Sequence, residues 1–262
     1  MDFTFSPALS LSGFIVGILV GLTGVGGGSL MTPILVLLFG FKPATAVGTD
    51  LLYAAITKSG GSWVHHRHGN IDWRITGRLS LGSVPAAGLS LFMIARWGLE
   101  NQHINHLISA ALGFALLLTA GSLVFRQRLL TFAKQHIRQS RTDRQTAVLT
   151  ILVGVIVGTL VAWTSVGAGA LGVTALTFLY PQLAARRIVG SDIAHAVPLT
   201  LVAGVGHWYL GSVDVPLLLN LLMGSLPGIA LGSHFATRVP ERRLRSLLAA
   251  VLVLVGGKLI FA

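Results

Sequence analysis

Ten apolar runs occupy nearly the whole of this sequence, at roughly residues 8–22, 28–40, 44–66, 75–97, 105–125, 147–163, 167–180, 187–209, 216–236 and 243–261. A helix needs about 20 apolar residues, at a rise of about 1.5 Å each, to cross a bilayer. The third, fourth and fifth runs reach that length, as do the eighth, ninth and tenth. The first, second, sixth and seventh are shorter. Only 10% of the residues are charged, against about 25% in an ordinary soluble domain. So few charges cannot cover a globule of 262 residues in water. The 32 glycines and nine prolines sit inside the apolar runs, where membrane helices tolerate them. The expected fold is an all-α polytopic membrane protein.

The sequence has no cysteine, which excludes disulfides and cysteine metal sites. No basic residue precedes the apolar stretch from Leu9 to Val20, so it reads as a first membrane element and not as a cleaved signal. The net charge of +11 is better explained by loops that set topology than by nucleic acid, because basic residues concentrate near the cytoplasmic ends of spans.

The two halves repeat. Thr23-Gly24-Val25-Gly26-Gly27-Gly28 corresponds to Thr164-Ser165-Val166-Gly167-Ala168-Gly169, and Val47-Gly48-Thr49-Asp50 to Val189-Gly190-Ser191-Asp192. Gly69-Asn70-Ile71-Asp72 corresponds to Gly211-Ser212-Val213-Asp214, and Gly82-Ser83-Val84-Pro85 to Gly224-Ser225-Leu226-Pro227. His65 corresponds to His207. The register holds throughout after a slip of one residue following the glycine break. Four ordered matches in register mark an internal duplication. The division is a first repeat at 1–125, a basic linker at 126–146 and a second repeat at 147–262. Each repeat holds a short broken-helix pair and three full transmembrane helices.

The linker carries Arg126, Arg128, Lys134, Arg138, Arg141 and Arg144 and is assigned to the cytoplasm. Counting spans from there puts Arg67, Arg74, Arg78, Arg186, Arg187, Arg238, Arg242, Arg243 and Arg245 on the same side. Lys42, Arg96 and Lys258 fall outside, and Lys58 falls within a span. Each repeat crosses an odd number of times, so the halves are inverted and both chain ends face outward. Inverted repeats with broken helices near the midplane are the architecture of secondary transporters. Open backbone at that depth must be buried in protein or line a wet cavity. Gly13, Gly17, Gly21, Gly154 and Gly158 read as close helix packing. Three adjacent glycines at Gly26, Gly27 and Gly28 read as a non-helical break.

The glycine run closing the first segment, the Val-Gly-Thr step at Val47, Gly48 and Thr49, and the stretch from His65 to Trp73 together resemble the TauE/SafE sulfite exporter family of membrane transporters. The resemblance covers nearly the whole chain in both halves. It implies transport of sulfite, an organosulfonate or a related sulfur-containing anion, with export as the direction. Many family members resemble a Thr-Ser pattern where this chain has Thr49-Asp50 and Ser191-Asp192. Lys58 and His195 are also unusual at their depths.

Helix N-termini present free N–H groups and a partial positive charge, so the ends that follow the glycine breaks can hold an anion. The candidate binding residues are therefore Thr23, Gly24, Gly26, Gly27, Gly28, Ser29, Thr164, Ser165, Gly167 and Gly169, with Thr49 and Ser191. A phosphate loop is a poor reading, since no strand precedes the glycines and no Gly-Lys-Ser/Thr follows.

Ionisable groups inside spans are costly and are functional candidates by default. Asp50 lies about 10 Å into its helix and Lys58 about 22 Å, leaving Lys58 about 8 Å from the cytoplasmic edge. Asp192 enters from the opposite side, about 12 Å from that edge. Lys58 and Asp192 are thus expected to pair across the repeat interface, either as a static pair or as one that opens on binding. Asp50 has no basic partner at its depth and is a candidate to carry a proton. His195, one turn from Asp192, could relay protons or bind an anion, or simply pack. His65, His66 and His68 read as a solvated loop edge and not as a metal site, and no cofactor is expected. His207 falls near the outer edge. The arginines Arg74, Arg78, Arg186 and Arg187 flank cytoplasmic mouths.

These observations point to a gradient-driven transporter of a small anion with protons as the coupling ion, since no ATP-binding motif is present. A passive channel is the alternative within transport. An intramembrane enzyme is the alternative outside it, against which stands the duplication of the motifs in both halves.

Overall fold

A computed structural model describes residues 5–23, 28–98, 102–136, 142–235 and 241–261. The described residues form ten helices and no strand: α1 Pro7–Thr23, α2 Gly28–Leu37, α3 Pro43–Arg67, α4 Trp73–Trp97, α5 Gln102–His136, α6 Asp143–Thr164, α7 Ala170–Leu179, α8 Ala185–Tyr209, α9 Val215–Phe235 and α10 Glu241–Phe261. Among them, α4, α6, α8 and α9, with residues 103–125 of α5, are long and apolar enough to cross a membrane.

Local chemistry sets the ends. Asp72 accepts the N–H groups of Arg74 at 3.1 Å and Ile75 at 3.4 Å, capping α4. Its repeat mate Asp214 accepts the N–H of Leu217 at 2.8 Å, at the start of α9. Just upstream, Gly69 and Gly211 both take a positive φ, 64° and 74°, the left-handed conformation that ends a helix at little cost when the residue is glycine. The repeated Gly-x-x-Asp is therefore a stop and a start in four residues. Thr142 and Gln145 form a reciprocal capping box at the head of α6. That box starts α6 four residues before the apolar run does. The sixth segment is thus 22 residues long, about 33 Å, long enough to span where the run of apolar residues looked short. The polar stretch of the linker is helical up to His136 and again from Asp143.

The repeat is visible in the packing. Methyls placed at Gly13 and Gly17 of α1 would run into the backbone of Leu221 and Ser225 of α9. Methyls at Gly154 and Gly158 of α6 would run into that of Leu79 and Ser83 of α4, the equivalent atoms of the other half. Gly224 likewise faces Ser10 and Phe14, and Gly82 faces Ile151 and Val155. So α1 lies parallel to α9, and α6 parallel to α4. Each broken helix packs on a helix of the opposite repeat, through small residues that let the backbones touch.

The equivalent helices α3 and α8 run antiparallel. Gly48 lies against Ser212 and His207, Gly61 against Ile193, Gly204 against Leu52, and Gly190 against Asn70 and His65. Antiparallel equivalents mean that the two repeats are inverted. Two further bonds repeat across this crossing. Thr49 Oγ1 accepts the Asp214 N–H at 3.0 Å, and Ser191 Oγ accepts the Asp72 N–H at 2.8 Å.

Exposed apolar side chains such as Leu81, Leu89, Phe92, Phe114, Ile156 and Leu254 face outward from the bundle. Exposed tryptophans sit at both ends, with Trp63 and Trp73 at one and Trp97 and Trp208 at the other. Amphipathic rings of this kind settle at the two membrane–water interfaces. The chain is a polytopic membrane protein.

Candidate functional site

The second break, residues 165–169, is non-helical. Thr164 turns its hydroxyl back onto the Leu160 carbonyl at 2.6 Å and accepts the Val166 N–H at 3.1 Å, closing α6. Ser165 has φ 58°, and Gly167 and Gly169 both have φ 129°. The glycines adopt these angles without the Cβ clash another residue would meet. The backbone can then leave α6, run along α3 and re-enter a helix at Ala170.

Three ionisable side chains meet this segment. Asp50 of α3 is fully buried, and its Oδ2 accepts the Thr32 hydroxyl from α2 at 2.5 Å. Ser165 turns its hydroxyl toward the same carboxyl, yet neither Ser165 Oγ nor Asp50 Oδ1 has a hydrogen-bond partner. Lower on α3, Lys58 Nζ donates to the Ala168 carbonyl at 3.2 Å. Asp192 of α8 sits by the Gly169 N–H and fills the space where a side chain at Gly172 would project. It therefore occupies the N-terminal turn of α7, where a negative charge is favoured. Its Oδ1 has no partner. One turn on, His195 Nε2 pairs with Ser83 Oγ at 2.7 Å, and His195 Nδ1 has no partner.

Two expectations about charge change. Lys58 and Asp192 make no direct ion pair; the ammonium donates instead to the break carbonyl of Ala168. Lys58 nonetheless lies within electrostatic reach of Asp192, Asp50 and His195. Asp50 is therefore not without a basic neighbour. Depth counted along the helix axis missed this, because helical side chains lean back toward the N-terminus, which brings the Lys58 ammonium toward Asp50.

The structure thus brings Asp50, Lys58, Ser165, Gly169, Asp192 and His195 together, with Gly167 shaping the backbone between them. It does not bring Thr49, Ser191 or Thr164 there. Their hydroxyls are used in the α3–α8 crossing and in the α6 cap. Gly24, Gly26 and Gly27 lie outside the described residues, as do the side chains of Thr23 and Ser29; Gly28 is the first residue of α2.

Sequence reading missed Thr32, the Ala168 carbonyl and Ser83. Ser83 had a signal, since it belongs to a repeated Gly-Ser-x-Pro motif. It also missed that Tyr53 holds the place of His195 in the first repeat, beside Ser225, the counterpart of Ser83.

His207 is fully buried and bonds Ser212 Oγ and the Ala162 carbonyl, both at 2.9 Å. It ties the end of α8 to the end of α6. Arg78 pairs with Asp143 at 2.7 Å and Arg187 with Asp72 at 3.4 Å. Among the described residues no three His, Asp or Glu side chains group to hold a metal ion.

The break is closed to solvent, with Asp50, Asp192 and His195 at most 1% exposed, Ser165 at 5% and Lys58 at 8%. Five unpartnered buried polar atoms, counting the Tyr53 hydroxyl, are concentrated in this part of the molecule. Buried polar atoms normally find partners, so such a concentration marks this region as a candidate polar binding site.

Comparison with known proteins agrees with this architecture. The chain is 40% identical over 259 residues to a probable membrane transporter protein, YjnA, of Bacillus subtilis, covering 97% of this chain and 100% of that protein. A second Bacillus subtilis protein with that description, YdhB, is 28% identical over 252 residues, covering 95% and 97%. One from Haemophilus influenzae is 27% identical over 278 residues, covering 97% of each. No solved structure matches the chain. Residues 9–259 match the family described as Sulfite exporter TauE/SafE. That match runs from the first helix to the last and takes in both glycine breaks, so the chain belongs to the sulfite exporter TauE/SafE family and is a membrane transporter, not an enzyme.

Proposed function

We propose that this protein is a secondary carrier that moves a small anion through a site between its two inverted repeats, with protons as the coupling ion. Sulfite or an organosulfonate is the substrate class, and export the direction, that the family description favours. The 126–146 segment faces the cytoplasm and both chain ends face outward, as the basic residues favour.

The observation that carries this reading is the buried cluster at the second break. Lys58, the Ser165 hydroxyl and His195 Nδ1 supply donors for an anion at the repeat interface. The closed position of the cluster favours a carrier over a channel, since a channel needs a continuous wet path. Access then alternates by one repeat bundle rocking against the other.

Purified protein in liposomes, offered a panel of sulfite, sulfate and sulfonates with and without a pH gradient, tests this. Saturable flux of one anion class with counterflow is the expected result. Flux that rises linearly to high concentration would make the protein a channel, and no flux for any anion would overturn the reading.

A further inference from the structure

The charges of the site are unbalanced. Asp50 and Asp192 face the single cation Lys58. The remaining titratable groups of this cluster are Tyr53 on α3 and His195 on α8, with His207 further along α8, bonded within the protein. The helices packed against α3 and α8 add no charge at this depth. α2 and α7 have no charged residue, and α4, α5, α6 and α9 carry theirs only toward their ends. With both carboxylates ionised the empty site holds one net negative charge. An anion entering alone raises that to two, in a place closed to water where nothing screens them.

The two acids are not equivalent. Asp192 has the Lys58 ammonium within electrostatic reach and the Gly169 N–H beside it, at the N-terminal turn of α7. Asp50 Oδ2 accepts one hydroxyl, while its Oδ1 and the facing Ser165 Oγ are unpartnered. A proton on Asp50 Oδ1 does two things at once. It removes the excess negative charge, and it turns an acceptor into a donor for an anion held near Lys58.

From the unpartnered Asp50 Oδ1 beside Ser165, and from the two carboxylates sharing one lysine, we infer that proton and anion bind this site together and cross in the same direction, one proton per monovalent anion. The inference rests on the anion reading above. The loaded site, with one proton and one anion added, carries the same net charge as the empty one, so each cycle moves no net charge. Exchange of a proton against an anion is disfavoured by the same count. It would swing the site between zero and two net negative charges. The direction of net flux is then set by the product of proton and anion concentrations on the two sides. An anion accumulated in the cytoplasm by more than the opposing proton gradient leaves with a proton, whatever the membrane potential.

The test uses wild-type protein in liposomes loaded with a pH-sensitive dye, an inward gradient of methanesulfonate, which is ionised at every working pH, and a potassium-clamped potential. The expected result is acidification of the lumen by one proton per anion, with a final anion ratio that ignores the clamp. A carrier moving one net charge would instead change that ratio about 50-fold per 100 mV. Lumenal alkalinisation, an unchanged pH, or a ratio that follows the clamp overturns the inference. No methanesulfonate flux, with sulfite also failing in the same vesicles, overturns the anion reading itself. If sulfite alone moves, its own flux is scored by the same clamp criterion. In Asp50→Asn, anion flux that remains is expected to lose the accompanying proton. Should that variant fail to fold, the wild-type stoichiometry decides the matter alone.

Discussion

Replacing Gly82 or Gly224 with alanine tests the inverted packing directly. A methyl at Gly82 falls on the Ile151 carbonyl of α6, with the Val155 nitrogen 2.9 Å away. A methyl at Gly224 falls on the Ser10 carbonyl of α1, with the Phe14 nitrogen 2.8 Å away. Both obstacles are helix backbone, which cannot swing aside as a side chain can. The helix pair must separate, and overpacking of this kind costs about 1–3 kcal/mol. Alanine regains up to about 1 kcal/mol over glycine in helix propensity. With that full gain the net loss is up to about 2 kcal/mol for each variant, or a fall in Tm of up to about 8 °C for a chain of this size. Gly88→Ala, whose methyl meets open space, keeps only the propensity gain. Thermal unfolding in detergent, followed by tryptophan fluorescence, gives all three values. If Gly82→Ala and Gly224→Ala unfold like Gly88→Ala, the contacts are wrong. If one is tolerated and the other is not, the two interfaces are not equivalent.

Thr49→Ala and Ser191→Ala each leave a part-buried N–H, of Asp214 or Asp72, without its acceptor, and are expected to lose similar stability, about 0.5–1.5 kcal/mol each. Unequal losses in the same unfolding assay would count against the symmetric crossing. Lys58→Met leaves two buried carboxylates without a cation and is expected to lower stability by about 3–5 kcal/mol. Adding Asp192→Asn restores much of the Tm but not transport, which stays at least about tenfold down because a charge-assisted contact to the anion is gone. Recovery of flux in that double variant would remove Lys58 from the binding site.

Much of the fold was legible because the duplication states the same structural instruction twice. The Gly69 and Gly211 stops, the Asp72 and Asp214 starts, and the packing glycines of α1 and α6 all follow from residue type and position. The length of α6 was not legible, since its first turn is polar and belongs to the helix by virtue of the Thr142 cap. At the site, Asp50, Lys58, Asp192 and His195 stood out as charges in apolar runs. Their mutual arrangement did not, because it depends on the path of the break. Ser165 through Gly169 runs beside α3, so Ser165 faces Asp50 while Ala168 takes Lys58. Thr49 and Ser191 look like ligands beside their aspartates, but each turns to a different side of its helix and serves the crossing. A helix one residue on turns by about 100°, which is enough to move a hydroxyl from the site to the interface.

The chain has no cysteine, so Ser165→Cys would be the single thiol in the molecule, placed at the centre of the proposed site. Its modification by a small charged thiol reagent, applied from each side of oriented vesicles, tests whether the break is the transport site. Reaction from both sides, slowed by the transported anion and not by an untransported one, is the predicted result. A thiol that reacts from one side only, or at a rate indifferent to the transported anion, would contradict an alternating-access site between the repeats.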